Sequence, residues 1–64
     1  MNAEQIRELP VGTHILAVNP GGERTVCVIG YRGRPSNKIL TYRVRGKVRW
    51  AAIEGRPGVH YERV

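Results

Sequence analysis

Turn-forming clusters cut this chain into runs too short for anything but strands. Asn19-Pro20-Gly21-Gly22 is the strongest of them, followed by the Gly33-to-Asn37 stretch, Gly46, and Gly55-Arg56-Pro57-Gly58. Turn signals at this density, with β-branched and aromatic residues between them, are the pattern of a small all-β domain. Val11 to Val18 is a near-continuous apolar run that reads as a central strand, and Thr25 to Tyr31 reads as the second. A four-residue turn would pair Val18 with Glu23, Leu16 with Thr25 and His14 with Cys27. Gly30, inside the second strand, predicts a bulge or bend. Val59 to Val64 closes the set.

The third and fourth strands carry the most information. Leu40, Tyr42 and Val44 alternate with Thr41, Arg43 and Arg45; beyond Gly46, Val48, Trp50 and Ala52 alternate with Lys47, Arg49 and Ala51. Such alternation marks strands with one buried and one wet face. Pairing Leu40 with Ala52, Tyr42 with Trp50 and Val44 with Val48 keeps the apolar partners together across a three-residue loop, Arg45-Gly46-Lys47. Arg43, Arg45, Lys47 and Arg49 then share one surface, with Arg43 across from Arg49. Like charges directly opposite are unfavourable, so that register implies an anion between them. A two-residue turn at Arg45-Gly46 would break the parity. The stretch from Ala51 to Glu54 reads either as strand or as a short helical turn.

At the other end, Asn2 is placed to cap a short helix over Ala3 to Leu9, with Gln5 at the capping-box position. Ile6 and Leu9 give it one apolar face, and Pro10 ends it. Residues 1–10 are thus a cap or a tail, and 11–64 the β domain. At 64 residues, one domain with a thin core is the limit. The single cysteine allows no internal disulfide and no cysteine metal cluster. No apolar run approaches the roughly 18 residues of a membrane span, nor is there a signal-peptide core, so the expected location is cytoplasmic.

Charge narrows the function. Eleven basic residues, nine of them Arg, face five Glu and no Asp, for a formal net charge of +6. A basic excess on so small a chain suggests a polyanionic partner, and Arg forks suit phosphates and base edges. Catalysis is not expected: the Glu residues lie near the termini and in turns, and no Ser–His or Cys–His spacing suggests a nucleophile with its base. His14, Cys27 and His60 are scattered and predict no metal site. No cofactor is expected.

The layout resembles the SH3-like small barrels, which include Tudor-like, chromo-barrel and integrase C-terminal DNA-binding domains. Val11 to Ala17, the late Trp50 and the terminal Tyr61-Glu62-Arg63-Val64 carry the likeness. It implies a five-stranded antiparallel barrel with a short N-terminal helical turn. A methyl-lysine cage needs several clustered aromatics, and with Trp50, three Tyr and no Phe the chain does not suit Tudor-type reading. The type II dihydrofolate reductases are similar in length, but their Val-Gln-Ile-Tyr signature is absent. Locally, Arg32-Gly33-Arg34-Pro35 resembles the core of an AT-hook. That implies an extended segment in the minor groove of A·T-rich DNA, where Arg side chains meet the strongest negative potential.

The resulting expectation is a small basic protein gripping double-stranded DNA, as a nucleoid-associated protein or transcription regulator does. Arg43, Arg45, Lys47 and Arg49 would hold phosphates, aided by Lys38; Arg32, Gly33 and Arg34 would supply groove contact and Tyr31 would stack on a base. Trp50 and Tyr42 are assigned to the core. Five to seven phosphate contacts would give a log–log salt slope of roughly −4.5 to −6. RNA or the ribosome, and an acidic protein surface, are the alternative partners. Homodimerisation, which would double the basic face, is left open.

Overall fold

The computed structural model describes residues 1–34 and 36–64. Among these residues the chain forms one short helix, α1 (Ala3–Arg7), and five strands: β1 (His14–Val18), β2 (Arg24–Tyr31), β3 (Lys38–Val44), β4 (Lys47–Ala51) and β5 (His60–Arg63). They make a single antiparallel sheet in the order β4-β3-β2-β1-β5. The all-β class and the N-terminal helical turn are as expected from the sequence. The closed barrel is not: β4 and β5 lie at opposite edges of an open sheet.

Helix α1 forms where its cap predicted. The Asn2 side chain accepts from the Gln5 amide and the Gln5 side chain accepts from the Asn2 amide, both at 2.9 Å. The helix ends at Arg7 rather than Leu9. Ile6, fully buried, fixes it against the sheet. The Lys38 ammonium donates to the carbonyls of Arg7 and Leu9, tying β3 to the end of α1. The Met1 ammonium donates to Tyr61 O at 2.7 Å, so this segment is a docked cover.

Among the described residues, all sealed side chains lie on the side of the sheet that α1 covers. Ile15 and Ala17 of β1, Cys27 and Ile29 of β2, Leu40 of β3 and Tyr61 of β5 join Ile6 and Ile53 in one cluster. The last of these comes from the turn after β4, where Gly55 N donates to Ala52 O at 3.1 Å. Ala51 to Glu54 is therefore the end of a strand followed by a turn. Gly55 has φ +69°, and a methyl there would collide with the Tyr61 hydroxyl. Burying large aliphatics together is the main stabilising term for so small a chain.

Two registers differ from the sequence reading by one residue. Five residues, Asn19 to Glu23, connect β1 and β2, so Val18 pairs with Arg24, Ile15 with Cys27 and His14 with Val28. His14 and Cys27 consequently point to opposite faces. Between β3 and β4 the turn is Arg45-Gly46, both at positive φ (52° and 78°). That is the geometry of a tight two-residue hairpin, whose twist matches that of its strands. Leu40 pairs with Ala51, Thr41 with Trp50, Tyr42 with Arg49, Arg43 with Val48 and Val44 with Lys47. Gly30 introduces no bulge: it pairs regularly with Ile39, between Ile29–Leu40 and Tyr31–Lys38.

Candidate nucleic-acid interface

The β3–β4 register decides which side chains share a surface. A one-residue shift exchanges the two faces of a strand. Arg43 stays on the outer face, opposite Val48, whereas Lys47 and Arg49 turn to the core side, opposite Val44 and Tyr42. Arg45 occupies the turn. The four-cation face expected from the alternation is therefore not formed. Hairpin geometry outweighed the parity of the apolar residues: Gly46 takes one positive-φ position of the tight turn freely and Arg45 takes the other at some cost.

The same shift places Trp50 outside. It lies in a row running across the sheet, Trp50–Thr41–Val28–His14. Beside this row stand Val48–Arg43 on β4 and β3, and Val26–Leu16–Glu62 on β2, β1 and β5. Arg24 and Val18 follow near the β1–β2 turn. Trp50 is 55% exposed, Val48 65% and Val26 53%. No segment among the described residues covers this face. Its centre is a shallow hollow lined by His14, Arg24, Val26, Val28, Arg43 and Val48, among others. Thr41 on its floor donates its hydroxyl to Val28 O at 3.0 Å, which leaves the face without a demanding polar group at that point. Glu62 is the single acidic residue in the five strands.

Arg32 reaches this face from the β2–β3 loop. Its guanidinium lies over the Trp50 ring, 4.1 Å from the centroid. Ring quadrupole and cation attract one another in this geometry. The loop holds Arg32 there: its amide donates to Asn37 O at 3.1 Å, and its carbonyl accepts from Asn37 Nδ2 at 3.1 Å. The amide of Asn37 also donates to Arg34 O at 2.8 Å, and Gly33 has φ +79°. Arg32, Gly33 and Arg34 are thus part of a closed turn instead of the extended segment expected of a groove-lying hook. Pro35, the fourth residue of that motif, lies outside the described residues. Arg34 is exposed.

The remaining expected contacts are dispersed. Tyr31 is 53% exposed but belongs to the core side, opposite Lys38 at the end of β2 and β3. Lys38 is half-buried and its ammonium is held by two helix-end carbonyls. Tyr42 packs against the core cluster, as expected. The sequence reading assigned Trp50 to the core and missed the outer face because it took the apolar parity across Gly46 as continuous. The signal that pointed the other way was Gly46, which suits the second position of a two-residue turn, while Arg45 takes the first at a backbone cost.

No group of three or more His, Cys, Asp or Glu able to hold a metal occurs among the described residues, and no helix is long and apolar enough to cross a membrane. No family model, curated relative or solved structure matches the chain.

Proposed function

We propose that this chain binds duplex DNA on its outer sheet face. The observation that carries this reading is Trp50, exposed on the outer face of the edge strand β4 with the Arg32 guanidinium over its ring. Strands can lie in a DNA groove, and apolar side chains on them press against bases and sugars while arginines meet the phosphates. Here Trp50, Val48 and Val26 offer the apolar contact. Arg43 and Arg24 flank them in the sheet, and Arg32 supplies a third cation beside the aromatic ring. The net charge of +6 favours approach of any polyanion.

A titration using the chain's one tryptophan as reporter tests this. Random-sequence duplex at low salt should change Trp50 emission saturably. Arg43→Ala should weaken every sequence alike, as expected for a phosphate contact, while Arg49→Ala, on the other side of the sheet, should have a smaller effect. Equal losses from the two variants would overturn the assignment of the face.

The apolar share of the same face also suits an acidic protein surface, since three large apolar side chains there are more than half exposed. Absence of any emission change with duplex or structured RNA at low salt would favour that reading. Stronger competition by structured RNA would move the partner to RNA.

A further inference from the structure

The core side of the sheet is only partly covered. Helix α1 packs over one part through Ile6, and the turn after β4 contributes Ile53. A second hollow, of about 410 Å³, opens toward the segment that leads to β5. That volume falls within the range of small-molecule sites, roughly 300–1,000 Å³. Ala17, Cys27, Leu40, Tyr42, Trp50 and Tyr61 give it a mainly apolar lining, to which Asn19, Thr25 and Arg56 add polar groups.

Tyr61 gives this hollow a recognisable chemistry. The residue is 7% exposed, yet its hydroxyl makes no hydrogen bond among the described residues. No side-chain oxygen or nitrogen among them is both sealed from solvent and unpaired, so solvent reaches that hydroxyl. A nearly buried phenol with a free donor, in a cavity that Arg56 also lines, suits an oxyanion. Lys47 and Arg49, which the β3–β4 register turns to this side, add to the positive potential around it. The apolar lining residues favour a ligand with a hydrocarbon body over inorganic phosphate or a nucleic-acid backbone.

We infer that this hollow binds a small amphipathic carboxylate, its chain against Ala17, Cys27 and Leu40 and its carboxylate between the Tyr61 hydroxyl and Arg56. Trp50 also lines this hollow, so the hollow borders the outer face at the β4 edge; the inference rests on Tyr61 and Arg56 and not on the DNA reading. Burial holds the Tyr61 hydroxyl above its ordinary value, with the Cys27 charge adding to that, so it remains a donor at neutral pH.

Hexanoate and 1-hexanol, titrated separately into the full chain and followed by amide chemical shifts, test the inference. Hexanoate should shift the amides of Ala17, Cys27, Val59 and Tyr61 saturably, and hexanol should bind about tenfold more weakly. Tyr61→Phe removes one oxygen and leaves the ring in the core; it and Arg56→Gln should each lower hexanoate affinity by about tenfold, the scale of one charge-assisted hydrogen bond. Equal binding of hexanol, unchanged affinity in both variants, or the absence of saturable shifts in these amides would overturn it.

Discussion

Trp50 is the residue at which one turn has its largest consequence. In a core position its loss would be costly; removing a buried large side chain typically costs about 2–5 kcal/mol. More than half exposed, it should behave differently. Trp50→Ala is expected to lower stability by less than about 1 kcal/mol in a denaturant melt, as for other surface sites. The same change should weaken duplex binding by roughly tenfold, the scale of one lost aromatic stack. Ile29→Ala, fully buried in the centre of the core, should show the reverse balance, with a stability loss of about 2–5 kcal/mol. A large stability loss for Trp50→Ala would return that residue to the core.

Two other single residues make the core sensitive to base. Burial raises the Cys27 thiol above its ordinary 9.0, and burial together with the Cys27 charge raises the Tyr61 hydroxyl above 10.0. In the unfolded chain both ionise at their ordinary values. As pH climbs past about 9, the unfolded state therefore sheds protons that the folded state still holds, and stability falls. Below that range the contribution is fully present. Urea midpoints should stay level with respect to these groups between pH 7 and about 8.5 and fall above it. A Cys27→Ala/Tyr61→Phe variant should flatten the alkaline limb; an unchanged limb would mean that other groups cause it.

Among the elements, the β3–β4 hairpin decides what the molecule can present. Its alternation was legible in the sequence, and both strands formed close to where they were expected. Register was not, because the apolar residues on the two strands favour one parity and the Arg45-Gly46 turn requires the other. Helix α1 was legible down to its capping partners, since Asn2 and Gln5 act locally. Its union with Lys38 was not, because that contact spans β3 and the helix end. Closure failed for a related reason: turn spacing indicates how many strands exist, while nothing in it distinguishes an open sheet from a barrel. Arg45 pays for its turn with a left-handed backbone, which costs a non-glycine L-residue about 1–2 kcal/mol and asparagine less. Arg45→Asn should accordingly raise stability by about 0.5–1 kcal/mol and leave the register intact. Destabilisation by this change would argue against the two-residue turn.

At the scale of the molecule, a thin sheet divides its work between two sides. One side collects the aliphatic core under α1 and the turn after β4; the other remains uncovered, apolar at its centre and cationic around it. With Lys47 and Arg49 turned away, the outer face offers Arg24, Arg32 and Arg43. Three phosphate contacts correspond to a log–log salt slope of roughly −2.7, much shallower than a four-cation ribbon with a basic loop would give. The measurement that tests the central claim most directly is a map of amide shifts during titration with duplex DNA at low salt. The account predicts changes concentrated at Val26, Val28, Thr41, Arg43, Val48 and Trp50, across three strands of one face. Changes centred on Lys47, Arg49 and the core side, or none anywhere, would contradict it.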